Sequence, residues 1–351
     1  MLIEENVPLA PLTTLQVGGP ARLMIRAKSA DEVMEAVQYA RSNHLPVFVL
    51  GGGSNLVVAD TGFNGLVLKV EIKGVEARDV RGRRREYEVG AGEDWDAFVA
   101  RAVSEDCAGI ETLSGIPGTV GGTPVQNVGA YGQEVAETIQ SVRILDLQTM
   151  QVRDLSNAEC GFSYRTSIFN STEPGRYIVL GVTYSLEIGG SARITYADLK
   201  KYFGETNSNP TLAQTREAVR AIRLSKAMLI VPDDEDCRSA GSFFKNPIVN
   251  LAKYDEVAAL AAQKGIGAAP PKYPAGDGKV KMSAAWLVEN SGFARGYTRG
   301  RAGISRKHAL ALVNRGGATA AEIVALKDEV QRGVSDTFGI RLHPEPVMLG
   351  F

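Results

Sequence analysis

Residues 239–247, Ser-Ala-Gly-Ser-Phe-Phe-Lys-Asn-Pro, carry a hydroxyl (Ser242), an amine (Lys245) and a carboxamide (Asn246) around two phenylalanines. A stretch this evenly split between polar and apolar groups fits the edge of a core, with its polar groups turned to a cleft. Ser242-x-x-Lys245 has the spacing of an acyl-transferring serine with its lysine on one helix face. Phe243, Phe244 and Pro247 favour extended chain instead, and neither Lys-Thr-Gly nor Ser-Asp-Asn occurs. A Ser-His-Asp triad is equally poorly supported: the histidines are His44, His308 and His343, and Gly-x-Ser-x-Gly is absent. Neither acyl-transfer reading of Ser242 is well supported, and a serine in a strand with no chemistry is the alternative.

Two glycine-rich segments precede it. One is Gly51-Gly52-Gly53-Ser54-Asn55. The other is Ser114-Gly115-Ile116-Pro117-Gly118-Thr119-Val120-Gly121-Gly122, which continues to Asn127-Val128-Gly129-Ala130-Tyr131-Gly132. Glycines let backbone N–H groups converge on an anion because no side chain blocks the approach. Neither segment is a Rossmann fingerprint, since Leu56 stands where the third glycine belongs, and neither has the Gly-Lys-Ser/Thr of a P-loop. The chemistry points to a nucleotide or dinucleotide cofactor on two non-Rossmann loops, and a tight turn is the alternative for the first.

The elements that must hold these groups follow from period and punctuation. A strand region over 15–26, broken at Gly18-Gly19-Pro20, leads to a helix with Ser29 and Glu32 as a capping box and Val33, Ala36, Val37 and Ala40 on one face. Strands are expected at 46–50, 56–58, 66–70, 86–89, 141–147 and 177–186. Further helices are expected after Asp94 (Phe98, Val99, Ala102, Val103), over 211–225 and over 251–264. A Pro/Gly-rich loop over 265–278, a strand over 308–314, a helix capped by Thr319 and Glu322, and a strand over 340–349 complete the chain. The class is mixed α/β, or α+β.

Lysine plus arginine (39) nearly balances aspartate plus glutamate (40), so no basic field invites nucleic acid. The run Arg81-Gly82-Arg83-Arg84-Arg85 reads as a solvated hairpin tip. Cys107, Cys160 and Cys237 are scattered and odd in number, which fits a reducing compartment and neither disulfides nor a metal site. Met1 to Glu5 lacks a basic region followed by an apolar one, and no apolar run reaches membrane-spanning length. A cytoplasmic protein is expected, with no membrane and no protein partner implied.

The two glycine segments, Gly129-Ala130-Tyr131-Gly132, Tyr164-Arg165 and Gly241-Ser242-Phe243-Phe244-Lys245-Asn246-Pro247 occur in that order. The ordered set, spanning about Thr13 to Phe351, resembles the UDP-N-acetylenolpyruvoylglucosamine reductase family. The resemblance implies a two-part FAD-binding domain of the vanillyl-alcohol-oxidase (PCMH) type, over 1–70 with 345–351 and over 71–222, and a C-terminal α+β substrate domain over 223–344. It implies non-covalent FAD held by Gly51, Gly52, Gly53, Ser54, Asn55, Ser114, Gly115, Ile116, Pro117, Gly118, Gly121, Gly122, Val128, Gly129 and Ala130. NADPH is the implied co-substrate. Hydride passes through FAD to the outer vinyl carbon of an enolpyruvyl nucleotide sugar, in peptidoglycan precursor synthesis.

By the same resemblance Ser242 protonates the carbon beside the carboxylate, Arg165 steadies the charge that develops there, and Glu345 assists. A hydroxyl can serve as the acid because a carbanion is a strong base. Tyr131, Tyr164, Tyr196, Lys226, Asn246, Tyr273, Lys281, Arg295 and His308 are the implied substrate contacts. Tyr196 points to the class with a tyrosine loop that closes over the diphosphate, with an ordinary packed aromatic as the alternative; for His308 the alternative is a satisfied strand-end histidine. The segment 227–236 is longer and more acidic than the family's short Leu-Pro-Asp-Pro run, which leaves the path into Ser242 open. Another FAD-dependent oxidoreductase with a different substrate is the competing function. A serine acyl-transferase or a non-catalytic nucleotide-sugar binder fits fewer of these residues.

Overall fold

Ser29 ends an extended segment and its hydroxyl accepts the Glu32 N–H, which starts helix α1 (Ala30–Ser42). The expected reciprocal bond is displaced: the Glu32 carboxylate takes the N–H of Lys28 at 2.6 Å rather than that of Ser29. Asp94 caps α2 (Trp95–Ser104) in the same way, and Trp95, Phe98, Val99 and Ala102 form its buried face. Both helices satisfy orphan N–H groups locally and then bury a 3.6-period stripe.

The computed structural model describes residues 1–204 and 209–351. These divide into two compact units, one of Met1–Val7, Ala21–Gly53 and Phe63–Leu229, the other of Pro8–Pro20, Ser54–Gly62 and Ile230–Phe351. Unit one contains a four-stranded sheet in the order Glu4–Pro8, Pro20–Ala27, Phe63–Val70, Val47–Leu50, the last three parallel. It also contains an antiparallel sheet in the order Gln151–Ser156, Ile139–Asp146, Tyr177–Ile188, Arg84–Gly90, Val75–Val80. The Arg81 run is the tip of the hairpin in which Val80 pairs with Arg84, as expected. Trp95, Phe98 and Tyr184 pack together in the shared core with ring centroids 5.1–5.9 Å apart. Helices α3 (Ala197–Phe203) and α4 (Leu212–Ser225) complete this unit, α4 opening on a full capping box of Thr211 and Gln214.

Unit two holds α5 (Leu251–Gln263), α6 (Ala284–Glu289) and α7 (Ala320–Phe338). Its core joins Phe243, Phe244, Tyr254, Leu287, Ile304, Leu326, Val334 and Phe338. Thr319 and Glu322 form the expected capping box of α7, and Asp60 accepts two more N–H groups of that turn, from Ala320 at 2.7 Å and Ala321 at 2.9 Å.

Several expected strands are shorter. The first begins only at Pro20; Leu15 and Val17 lie instead in the core of unit two. The strand over 308–314 is reduced to Leu312–Asn314, because His308 Nδ1 accepts the Leu310 N–H and the His308 carbonyl accepts that of Ala311, closing a turn. The strand over 340–349 is Val347–Leu349 alone, since Pro344 and Pro346 cannot donate to a ladder. The loop over 265–278 contains a short strand, Lys272–Pro274, in a sheet with Lys279–Met282 and Ile248–Asn250.

Candidate active site

In unit one the strand Val47–Leu50 runs into Gly51–Gly53, and this turn meets the second glycine segment backbone to backbone. A Cβ on Gly52 would lie 2.5 Å from Gly118 Cα, and one on Gly51 would lie 2.9 Å from Thr119 Oγ1. Among the described residues, the N–H groups of Ile116, Gly118 and Thr119 are bonded to no protein acceptor. The two turns thus form an uncharged backbone ledge with unpaired donors, which is what a dinucleotide diphosphate requires. Ser114 is fully buried with its hydroxyl on the Glu111 carbonyl, and Gly121 donates to the Ala91 carbonyl, so both shape the segment. Gly122 is open, with nothing within 4 Å of a Cβ position. The ledge fits FAD, and neither turn contains a histidine for covalent attachment.

Val128, Gly129 and Ala130 enter a second tight hairpin, where Gly129 pairs with Glu134 and Ala130 with Gln133. Its tip is Tyr131-Gly132, both at positive φ (+49° and +91°), as a two-residue hairpin of primed type demands. Tyr164-Arg165 forms another tip, closed by mutual Ser163 and Thr166 backbone bonds. Arg165 has φ +55°, unusual for a non-glycine residue, and its Nη2 donates to the Gly129 carbonyl at 2.9 Å. Its guanidinium lies 5.2 Å from the Tyr164 ring centroid. Arg165 therefore reaches the expected flavin segment. Asn127, which sequence reasoning did not single out as a site residue, ties these hairpins together: its amide nitrogen donates to Glu134 and to the Ser163 carbonyl. Its positive φ of +45° is a conformation asparagine tolerates better than most residues.

Tyr196 precedes α3 and meets the Tyr131 ring edge-on, centroids 5.5 Å apart. Lys226, at the end of α4, pairs through Nζ with Asp198 of α3 at 2.6 Å. Burial pushes the Tyr131 phenol up to about 12, with Arg223 beside it acting in the opposite direction. Tyr131, Tyr196 and Lys226 thus gather in unit one.

In unit two the Ser242 stretch is extended, with bridges at Ser239 and Phe244, and Gly241 bends it at φ +71°. A helical Ser-x-x-Lys face is absent there. Phe243 and Phe244 are buried edge-to-face at 5.5 Å and anchor the segment. Phe243 N–H donates to the Leu310 carbonyl and its carbonyl accepts Glu345 N–H, both at 2.8 Å. Lys245 N–H reaches the His343 carbonyl at 2.9 Å. The residue after Ser242 is thus directly bonded to Glu345 and to the turn that carries His308. Asn55 fixes the same strand: its Nδ2 donates to the Glu345 carbonyl and its own carbonyl accepts Val347 N–H. Ser54 and Asn55 belong to unit two, whereas Gly51–Gly53 belong to unit one.

The remaining expected contacts are dispersed. Asn246 Oδ1 accepts the Ala284 N–H at the start of α6. Tyr273 and Lys281 are cross-strand neighbours. Arg295 pairs with Glu289 at the surface. The acidic segment before Ser242 has a definite partner. Asp234 pairs with Lys307, Glu235 with Arg306, and buried Asp236 with Arg306 through both its side chain and its N–H. Arg238 and Ser239 then zip onto Asn314 and Val313. No single stretch of sequence announces this, because the partners are some 70 positions apart.

Residues 21–155 match the family model described as FAD binding domain, and residues 232–349 match that described as UDP-N-acetylenolpyruvoylglucosamine reductase, C-terminal domain. With the glycine ledge, this makes the chain an FAD-dependent oxidoreductase of mixed helix and strand content, with an FAD-binding domain and a separate C-terminal domain. The UDP-N-acetylenolpyruvoylglucosamine reductase of Thermobifida fusca is 48% identical over 99% of this chain and 98% of its own length. That of Streptomyces avermitilis is 47% identical over 99% and 94%. The crystal structure of the Thermus caldophilus reductase superposes with a TM-score of 0.67 at 25% identity, covering 99% of this chain and all of its own. The chain belongs to the UDP-N-acetylenolpyruvoylglucosamine reductase family. Its activity is that of a UDP-N-acetylmuramate dehydrogenase, with FAD as cofactor.

Proposed function

We propose that the chain reduces the enolpyruvyl group of UDP-N-acetylglucosamine enolpyruvate to give UDP-N-acetylmuramate, with Ser242 as the proton donor. Bound FAD supplies hydride relay from NADPH to the outer vinyl carbon. Ser242 then gives its hydroxyl proton to the carbon beside the carboxylate and regains one from solvent. Arg165 stabilises the enolate-like charge spread into that carboxylate, and Glu345 assists in stabilising or protonating it. Gly51–Gly53 and residues 114–118, with 128–130, hold the diphosphate and flavin. Tyr131, Tyr196, Lys226, Tyr273 and Lys281 contact the nucleotide sugar, Tyr196 as the closing tyrosine. Residues 1–70 with 345–351 and 71–222 are the flavin halves, 223–344 the substrate domain, and the protein works in the cytoplasm.

The observation that carries this reading is the rung at Phe243, which bonds the chain beside Ser242 to Glu345 and to Leu310. Each of those residues was expected at a site on other grounds or lies two positions from one that was. The test is Ser242→Ala. NADPH should still bleach the flavin band near about 450 nm, while turnover on the enolpyruvyl substrate falls by about 10²–10⁴-fold. Full-rate turnover in the variant would remove Ser242 from the chemistry.

A further inference from the structure

Gly115 lies in the flavin segment, yet neither of its backbone polar groups faces outward. Its N–H donates to Asp96 Oδ1 at 2.6 Å, and its carbonyl accepts from Arg223 Nε at 3.1 Å. Asp96 lies in the first turn of α2, where a carboxylate is favoured by the helix dipole. It is gripped by Arg216 through two bonds of 2.5 and 3.0 Å and by Arg220 at 2.5 Å, both from α4. Arg223 follows one turn later on α4, almost wholly buried, and its Nη2 caps the Met228 carbonyl. The close fit is visible at Gly115 itself: a Cβ there would meet Leu229 Cδ2 at 2.5 Å and Arg223 Cδ at 3.4 Å.

We propose that Asp96 is a positioning residue for FAD: it turns the Gly115 peptide inward and so presents the following amides, of Ile116 and Gly118, to the cofactor. Two features support a role beyond packing. Gly115 is held by charged groups at both its N–H and its carbonyl, although an N–H at a loop surface could equally bond water. The amides after it are left without protein acceptors, while Gly115, the glycine between them and the buried Ser114, is not. The charge balance also suits the ligand. One carboxylate faces three arginines, so the ground beneath the ledge carries net positive charge toward a diphosphate. Burial alone would push the Asp96 carboxyl up, but bonds from Arg216 and Gly115 hold it below the usual carboxylate range, so it stays a full acceptor near neutral pH.

Asp96→Asn and Asp96→Ala separate positioning from structure. Asparagine keeps an acceptor for the Gly115 N–H but loses the arginine pairs; alanine loses both. Apoprotein of each is titrated with FAD, binding is followed by flavin fluorescence, and thermal unfolding of the apoprotein is measured in parallel. The proposal expects both variants to unfold at lower temperature, but the FAD Kd to rise at least tenfold only in Asp96→Ala and to stay within about threefold in Asp96→Asn. An unchanged Kd in Asp96→Ala, or a Kd that tracks the loss of stability in both variants, overturns it. Should Asp96→Ala give no folded apoprotein, Arg223→Lys removes the opposite hold on the same residue, at the carbonyl of the Gly115–Ile116 peptide, and is expected to raise the Kd at least fivefold; an unchanged value there also contradicts the proposal.

Discussion

Tyr131 shows how one side chain at this site couples to its surroundings. Its phenol is partly buried against Tyr196 and beside Arg223, and burial raises its pKa from 10.0 to about 12. A phenol raised on folding favours the native state fully below the unfolded value and loses that contribution as pH climbs through the folded one. Tyr131→Phe should therefore show a shallower fall in urea midpoint than the native chain between pH 10 and 12; identical slopes would mean that the phenol is not held neutral by its site. Ser242, Arg165 and the two glycine turns stand out in the sequence as candidates because their types and order are distinctive. Asn127, Asp96 and Asp236 were not. Each acts on a partner brought near only by folding, and an isolated Asn or Asp reads as a turn or a solvated surface.

At the scale of elements, helices were the more legible because their starts are written locally. Asp94 and Thr319 cap as their sequence context suggests, and Ser29 does so without the reciprocal bond from Glu32. Strands near the site were harder. The side chain and carbonyl of His308 and the prolines at 344 and 346 divert segments whose composition favours strand. Helix α7 also has a cap no local pattern could reveal, Asp60, lying some 260 positions upstream. Losing two charged hydrogen bonds at a helix N-terminus costs about 1–2 kcal/mol. Asp60→Ala should lower stability by about that amount in chemical denaturation with an unchanged m-value. No loss would show that water replaces the carboxylate at little cost.

On the whole chain, the sequence pattern was sufficient for the class of protein and the cofactor, since matches to both family models and to full-length relatives agree with it. How the chain is shared between its units was less legible: the Gly51–Asn55 turn straddles them, and Leu15 and Val17 leave the first strand for the core of unit two. Hydropathy and turn signals report on neighbours in sequence, and they carry no information on which of two cores a short apolar segment joins. No helix among the described residues is long and apolar enough to cross a membrane. The most direct measurement of the central claim is NADPH oxidation by the FAD-loaded protein with and without UDP-N-acetylglucosamine enolpyruvate. The account predicts steady oxidation that depends on this substrate, with UDP-N-acetylmuramate formed mole for mole. Flavin reduction that stops after one equivalent, whether or not the substrate is present, would contradict it.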